Sequence, residues 1–175
     1  MIEKLIDGII EREGKYIAHP DDRGGPTNMG VTMATLQGYR NQPVDKSDVQ
    51  NLTLEEVRQI YYSKYWIKSG FGTLSVSPFV EELLFDSAIH HGVSGATKLL
   101  QLSVGVLSDG RLGPVTKEKV NSFPANKLAS ALIAERVAKL GRIVTRDPSQ
   151  AVFAAGWMNR IKPFIKNLSS CDPSR

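Results

Sequence analysis

The sequence lacks the features typical of a disulfide-bonded, membrane-spanning or signal-bearing protein. Its 175 residues include a single cysteine, Cys171, in the polar stretch SSCDPSR, which excludes an intrachain disulfide and disfavours a nucleophile or a metal ligand. No apolar run is long enough to cross a bilayer. The N-terminal stretch MIEKLIDGIIEREG places acidic residues among its apolar ones and has no small-residue cleavage site, so we expect no secretory signal.

Sequence motifs for metals and nucleotides are also missing. His90 and His91 are adjacent, so on a helix they point in different directions and lack the four-residue spacing of a two-histidine metal site. At a helix C-terminus, their ordinary role is a favourable charge or a hydrogen bond. The stretch DGRLGPVTKEKV has neither the glycine spacing nor the Lys-Ser/Thr pair of a phosphate-binding loop. We therefore predict neither a metal site nor a cofactor.

The composition is that of an ordinary folded chain with a small excess of positive charge. With 41% hydrophobic and 23% charged residues, we expect one domain, or one domain with two lobes. Lys and Arg number 22 against 18 for Asp and Glu, and the net charge of +4 favours a polyanionic partner such as nucleic acid, a membrane surface or a cell-wall polymer. The basic residues of the last two predicted helices could form a positive face toward an anionic envelope or a solvated face, and we keep both alternatives. They are Lys127, Arg136, Lys139, Arg142, Arg146, Arg160, Lys162 and Lys166.

Apolar periodicity predicts a mainly helical protein with one irregular segment near the front. A first helix that ends near Gly14 is indicated by an apolar stripe at Ile2, Leu5, Ile6, Ile9 and Ile10. The glycines, prolines and aspartates of residues 16–31 cannot sustain a helix and favour a turn-rich loop or a short β-hairpin. Helices resume after the N-cap residues Thr32 and Thr53, the second forming a capping box with Glu56.

The rest of the chain is predicted to be helical with short turns. Ser77 and Pro78 begin a largely apolar helix that Gly92 ends. Two shorter helices flank the turn SDGRLG, and a long amphipathic helix covers residues 125–145. The last helix, at residues 150–168, is expected to kink or break near Pro163, which has no amide proton.

The stretch from Glu13 to Thr32, EGKYIAHPDDRGGPTNMGVT, contains the candidate catalytic residues. Hydrolysis of a glycosidic bond needs a proton donor and a second group that stabilises the developing cation or aims a water. Glu13 lies at a helix C-terminus, where the helix dipole favours the protonated carboxyl of a general acid. Asp22 and Thr27 follow in a loop whose glycines permit a sharp reversal toward Glu13. Acids in a loop usually cap or remain solvated, so the residues alone leave the catalytic interpretation open.

This stretch resembles the E-G-G-Y…D-x-G-G-x-T-x-x-G-I-T signature of glycoside hydrolase family 108, the N-acetylmuramidases found among phage endolysins and related bacterial proteins. FDSAIHHGVSGATKLLQ, DGRLGPVTKEKV and GWMNRI are similar to the family's C-terminal region, often described as a predicted peptidoglycan-binding domain. The resemblance implies a mainly α, lysozyme-like fold with a small β-hairpin or irregular loop after the first helix. It also implies an N-terminal muramidase lobe at residues 1–75 and a helical lobe at residues 76–175, packed as one unit.

The same resemblance implies the catalytic roles. We expect Glu13 to be the general acid that protonates the bond between N-acetylmuramic acid and N-acetylglucosamine. By similarity to phage-type lysozymes, Asp22 and Thr27 position and activate the water, and Asp21 competes with Asp22 for this role.

Substrate contacts are expected at four residues. Tyr16 and Asn28 belong to the front motif, and His90 and Gln101 would contact acetamido or hydroxyl groups if the central helix lines a cleft. Packing is an equally good explanation for His90 and Gln101. The sequence departs from the family pattern at Lys15, Met29 and His90, so substrate contacts near these positions are open.

The function predicted from the sequence is a monomeric peptidoglycan hydrolase for host cell lysis. We expect it to be made in the host cytoplasm and to act on the cell wall in the periplasm after holin-type release. Its partners would be glycan strands and an anionic envelope surface, with no nucleic acid. The alternatives are a lytic transglycosylase, which needs only one glutamate, and a non-catalytic helical module that binds the wall or nucleic acid.

Overall fold

The computed structural model describes residues 2–13 and 26–171, which are mainly helical, as predicted. A two-stranded antiparallel hairpin is formed by β1 (Thr27–Asn28) and β2 (Val31–Thr32). The α-helices are α1 (Ile2–Glu13), α2 (Met33–Arg40), α3 (Lys46–Gln50), α4 (Leu54–Tyr61), α5 (Pro78–His91), α6 (Val93–Ser103), α7 (Pro114–Asn121), α8 (Ala125–Arg146) and α9 (Ala154–Lys166). A π-helix covers Tyr62–Ile67, and 3₁₀ helices cover Phe71–Thr73, Pro148–Phe153 and Leu168–Cys171. The chain divides into two compact units, Met1–Trp66 (unit 1) and Ile67–Arg175 (unit 2).

The core of unit 1 forms where α1 packs on α4. Ile6, Ile9 and Ile10, from the predicted apolar stripe, are buried. They share this core with buried side chains of α4 such as Val57 and Ile60. Helix α1 ends at Glu13, one residue before the glycine predicted to end it.

The helix caps of unit 1 follow from short polar side chains. Thr32 caps α2 by accepting a hydrogen bond from the Thr35 amide at 3.2 Å, as predicted. Thr53 caps α4 through the Glu56 amide. Helix α3, which the sequence reading missed, begins with a capping box between Asp45 and Asp48. Five residues are too few for a periodic apolar stripe to reveal a helix.

The helices of unit 2 lie mostly where the sequence predicts them. Ser77 caps α5 ahead of Pro78, and Gly92 follows its last residue with a positive φ of 74°. The middle of α5 is buried, from Leu83 to Ala88. This burial explains why α5 is apolar around most of its circumference.

Helix α9 continues through Pro163, so of the kink or break predicted there, the break does not occur. The proline removes one hydrogen bond, to the carbonyl four residues earlier at Asn159. Both residues are exposed, so water can reach the freed carbonyl. Ile161 and Phe164 are buried on the opposite face and anchor α9 on both sides of the proline.

Candidate functional site

The predicted catalytic residues begin at the C-terminus of α1. Glu13 is the last residue of this helix, where backbone carbonyls lack helical partners and their partial negative charge favours a protonated carboxyl. The Glu13 side chain lies outside the described part of the structure, as do Tyr16, Asp21 and Asp22. The described part of the site is therefore the hairpin that carries Thr27, with the residues around it.

The hairpin has an inward and an outward face. Thr27 pairs with Thr32 and Asn28 pairs with Val31 across the two strands. Cross-strand partners share a face, and successive residues alternate between faces. Asn28 and Val31 are buried, whereas Thr27 and Thr32 are half-buried. The hydroxyl predicted to act on the substrate thus belongs to the outward face.

Asn28, predicted to bind substrate, belongs to the inward face. It is 8% exposed, and its Nδ2 donates to the carbonyls of Val49 at 3.0 Å and Gln50 at 3.1 Å. These bonds occupy both amide hydrogens and satisfy carbonyls at the C-terminal end of α3. The contacts explain Asn28 as the link between hairpin and helix, and they leave no free amide hydrogen for a sugar.

The turn of the hairpin has an uncommon backbone that Tyr61 holds in place. Met29 and Gly30 have φ values of 48° and 75°, so both central residues are left-handed, as in a type I′ turn. The buried Tyr61 donates its hydroxyl to the Met29 carbonyl at 3.1 Å. This bond fixes the turn to the end of α4, and with it the position of Thr27.

A lysine that the sequence analysis did not single out lies near the outward face. Lys64 Nζ donates to Thr35 Oγ1 at 2.9 Å, and Thr35 Oγ1 accepts from Thr32 Oγ1 at 3.1 Å. The ammonium also lies 5.1 Å from the centroid of the Tyr65 ring, within the range of a cation–π contact. Burial lowers the pKa of Lys64. Its only sequence signal was a lysine among aromatic residues in YYSKYW.

Gln101, also predicted to bind substrate, organises a turn in unit 2. It is 1% exposed, and its Nε2 lies within hydrogen-bond distance of Asp109 Oδ1 at 2.7 Å, the Arg111 carbonyl at 3.0 Å and Thr116 Oγ1 at 3.2 Å. Its Oε1 accepts from the Gly110 amide at 2.8 Å. The hydrogen bond from Gln101 lowers the pKa of Asp109. Both polar atoms of the Gln101 amide therefore have partners within the protein.

His90 is half-buried at the end of α5 and forms a ring stack with its neighbour. The His90 and His91 rings are 4.2 Å apart at 24°. Burial, followed by the positive charge of Arg160, lowers the pKa of His90 to about 4. Burial, followed by His90, lowers that of His91 to about 3. Both imidazoles are therefore neutral near pH 7, so of the two expected roles at this helix end, a charge or a hydrogen bond, the charge is not supported.

Two observations concern the described residues alone. Within residues 2–13 and 26–171, no three His, Cys, Asp or Glu side chains are grouped in a way that could hold a metal ion. In the same part of the chain, no helix is both long and apolar enough to span a bilayer.

Comparison with known proteins gives the family. The family described as Glycosyl hydrolase 108 matches residues 6–92, and the one described as Predicted Peptidoglycan domain matches residues 95–162. The solved structure titled "Structure of Brucella abortus SagA" is 32% identical, with a TM-score of 0.83 over 98% of this chain and 97% of that chain. No significant match was found among the curated proteins. The predicted family and the lysozyme-like helical fold are both confirmed. The chain belongs to glycoside hydrolase family 108, as a lysozyme-like peptidoglycan hydrolase whose hydrolase region is followed by a peptidoglycan-binding region.

Proposed function

We propose that this protein is an N-acetylmuramidase that cleaves the bond between N-acetylmuramic acid and N-acetylglucosamine. Glu13 is the general acid, and Asp22 and Thr27 orient the attacking water. The observation that carries the proposal is the position of Thr27 on the outward face of the hairpin, beside a buried, structural Asn28. Residues 1–75 perform the cleavage in this proposal, and residues 76–175 hold the polymer.

The chemistry needs a proton on Glu13 before the bond breaks. Its place at the C-terminus of α1 favours the neutral carboxyl over the carboxylate. Glu13 gives this proton to the glycosidic oxygen as the bond to the anomeric carbon breaks. Asp22 accepts a proton from the water that attacks this carbon and releases it to solvent after the product leaves. The Glu13 carboxylate then regains a proton from solvent.

Thr27 is the better of two outward hydroxyls for holding the water. Thr32 shares its face, but its oxygen caps α2 and also bonds to Thr35 Oγ1. Recruiting Thr32 would therefore remove an N-cap, at a cost of about 1 kcal/mol. Thr27 lies in the cross-strand position and is not part of this cap.

The test is digestion of purified peptidoglycan by the wild type, Glu13→Gln and Glu11→Gln. Glu11 is exposed two residues earlier on the same helix and is the matched control. We expect Glu13→Gln to lose at least ~100-fold in rate, as removal of a general acid does, and Glu11→Gln to retain wild-type activity. New reducing ends should be on N-acetylmuramic acid. Full activity of Glu13→Gln would remove the proposed proton donor, and 1,6-anhydro products would identify a lytic transglycosylase.

The resemblance to phage endolysins supports a biological role in host lysis. In this proposal a monomer is made in the host cytoplasm and reaches the wall through a holin-type lesion. Expression together with a holin should lyse the cells, whereas expression alone should not. Lysis by the protein alone would contradict the dependence on a holin.

A further inference from the structure

Unit 2 has an aromatic surface that the cleavage reaction does not use. Phe153 is 54% exposed at the end of a 3₁₀ helix, and Trp157 lies one turn further along, half-buried on α9. Their rings are 6.2 Å apart at 32°. The Trp157 ring also lies 6.4 Å from that of His90, which is stacked on His91. We call these four residues the Trp157 platform.

Contacts between α5 and α9 fix the orientation of the platform. Arg160 Nε binds Asp86 Oδ1 at 3.0 Å. On α9, Trp157 lies one turn before Arg160, and on α5, His90 lies one turn after Asp86. The Trp157–His90 and Arg160–Asp86 pairs therefore lie one turn apart, on helices that run in opposite directions. A surface held in this way loses little conformational entropy when a ligand binds.

A buried ion pair supports this arrangement from below. Arg136 of α8 is 0% exposed, and its Nη2 binds Asp86 Oδ2 at 2.7 Å. Asp86, 1% exposed, thus binds a guanidinium through each of its carboxylate oxygens. The carboxylate cannot turn without breaking a charge-assisted bond, so Arg160 and the neighbouring Trp157 stay in register.

The edge of the platform carries a cation. A Cβ added at Gly95 would lie 3.1 Å from His91 Cβ and 3.2 Å from Lys139 Nζ, so the ammonium lies across the bare glycine beside the histidine. Burial lowers the pKa of Lys139. Flat rings, neutral imidazoles and one cation together match an N-acetylated amino sugar of peptidoglycan and a carboxylate of the peptide attached to the glycan. The apolar face of the sugar stacks on the rings, its hydroxyl and acetamido groups bond to imidazole, and a carboxylate of the stem peptide meets the ammonium.

We propose that the Trp157 platform is a glycan-binding subsite of unit 2, which takes an N-acetylhexosamine ring of peptidoglycan on Trp157 and Phe153, while Lys139 at its edge pairs with a carboxylate of the attached stem peptide. Phe153, Trp157 and Lys139 all belong to residues 95–162, the region that matches the predicted peptidoglycan domain. The subsite rests on peptidoglycan as the polymer of the proposed function and is independent of which residues cleave it. It also explains why Phe153 is mostly exposed and Trp157 only half-buried, which a purely structural cluster would not need.

The test is binding of the Glu13→Gln chain to purified sacculi, because this background slows cleavage during the measurement. Adding Trp157→Ala should weaken binding by roughly 10-fold or more, as expected for loss of an aromatic anchor. Phe153→Ser should act in the same direction without disturbing a core, because Phe153 is mostly exposed. Lys139→Gln should weaken binding and reduce its dependence on salt. Leu107→Ala, at an 82% exposed position of the same unit, is the matched control and should bind normally.

The outcomes separate this inference from the catalytic proposal. If Trp157→Ala and Phe153→Ser, both folded by near-UV circular dichroism, bind sacculi as the control does, the subsite is wrong. The same holds if the two changes abolish a concentration-dependent dimer or adhesion to anionic vesicles and leave sacculus binding intact. Cleavage by the Glu13→Gln chain itself would contradict only the role of Glu13, since the binding comparison would still judge the platform.

Discussion

The two units hold an arginine in opposite ways. Arg40 of unit 1 is 24% exposed and donates to Glu56 at 2.7 and 2.9 Å and to Asp48 at 2.6 Å. These carboxylates raise its pKa. Arg136 of unit 2 is fully buried, and burial lowers its pKa. Its Nη2 binds Asp86, whereas its Nε and Nη1 have no hydrogen-bond partner among the described residues.

The two arginines have different structural roles. The Arg40 pairing joins α2 to α3 and α4 at the surface, where the charged groups stay partly hydrated and the desolvation cost is small. A buried charge costs several kcal/mol in desolvation, so Arg136 is a poor way to stabilise a helix bundle. Its guanidinium lies 5.6 Å from the Phe164 ring, which offsets only part of this cost. We infer that Arg136 is there to hold Asp86 in place, and through Asp86 the register of α9.

Breaking the buried ion pair between Asp86 and Arg136 should have the largest effect on stability. Asp86→Asn leaves Arg136 without its carboxylate and should cost about 3–5 kcal/mol in the free energy of unfolding. Urea denaturation followed by Trp fluorescence measures this change. The double variant Asp86→Leu/Arg136→Met removes both buried charges and should recover most of the loss. A loss with Asp86→Asn no larger than with Asp48→Asn, at the exposed pairing, would contradict the contrast between the units.

Breaking the exposed arginine pairing should cost less. Arg40→Met removes three charge-assisted bonds, but its carboxylate partners remain 21% and 37% exposed and can be hydrated. We expect a loss of about 1 kcal/mol, which high salt reduces in the wild type. The same denaturation experiment at low and high salt measures both effects. A loss of stability as large as that of Asp86→Asn would show that the Arg40 pairing contributes as much as a buried ion pair, which would contradict the contrast.

The stability of unit 2 should depend on pH through His90 and His91. In the folded state the pKa values of His90 and His91 are about 4 and about 3, against an ordinary 6.5. Burial is the largest cause for both. At His90 burial and the charge of Arg160 outweigh the opposing charge of Asp86, and at His91 the charge of His90 adds to burial. The unfolded chain therefore binds protons first as the pH falls. The stability they contribute is complete above pH 6.5 and is lost progressively as the pH falls toward 4.

The measurement is the free energy of unfolding at pH 7 and at pH 4.5. The wild type should lose about 1 kcal/mol more than His90→Gln/His91→Gln over this interval, after allowance for solvent screening. Asp48, whose pKa is lowered by a backbone hydrogen bond at Asp45, loses its contribution only below its ordinary 3.8. The two windows are therefore separate. Equal losses for the wild type and the double variant would contradict the neutral imidazole pair.

Most of the helices could be predicted from the sequence, because periodicity and caps are local. The same information does not tell which face of a strand turns inward. Asn28 lies in the motif next to Thr27, yet the register of one hairpin buries the amide and leaves the hydroxyl outward. Gln101 is similar, since its partners at Asp109 and Thr116 come from a turn that folds back on α6.

The Asp86 contacts were beyond sequence reasoning for another reason. Asp86 reaches Arg136 and Arg160 across 50 and 74 residues of chain, and no local pattern pairs such positions. The break expected at Pro163 failed because tertiary packing of Phe164 outweighs one lost hydrogen bond. Family resemblance is the basis for the roles proposed for Glu13 and Asp22, because the residues alone had left the alternatives open.

The smallest expected effect concerns the backbone of unit 1. Its unfavourable feature is the left-handed Met29, with φ of 48°, in the turn that Tyr61 holds. A left-handed conformation costs an ordinary L-residue about 1 kcal/mol or more, and asparagine tolerates it better. Met29→Asn should therefore stabilise the protein by about 0.5 kcal/mol, less than the full strain because Met29 also loses partly buried apolar surface. Gly30→Ala, at φ of 75°, is the opposing control and should destabilise. If denaturation shows Met29→Asn to be the less stable, packing of the partly buried Met29 side chain rather than turn conformation determines which residue is favoured at this position.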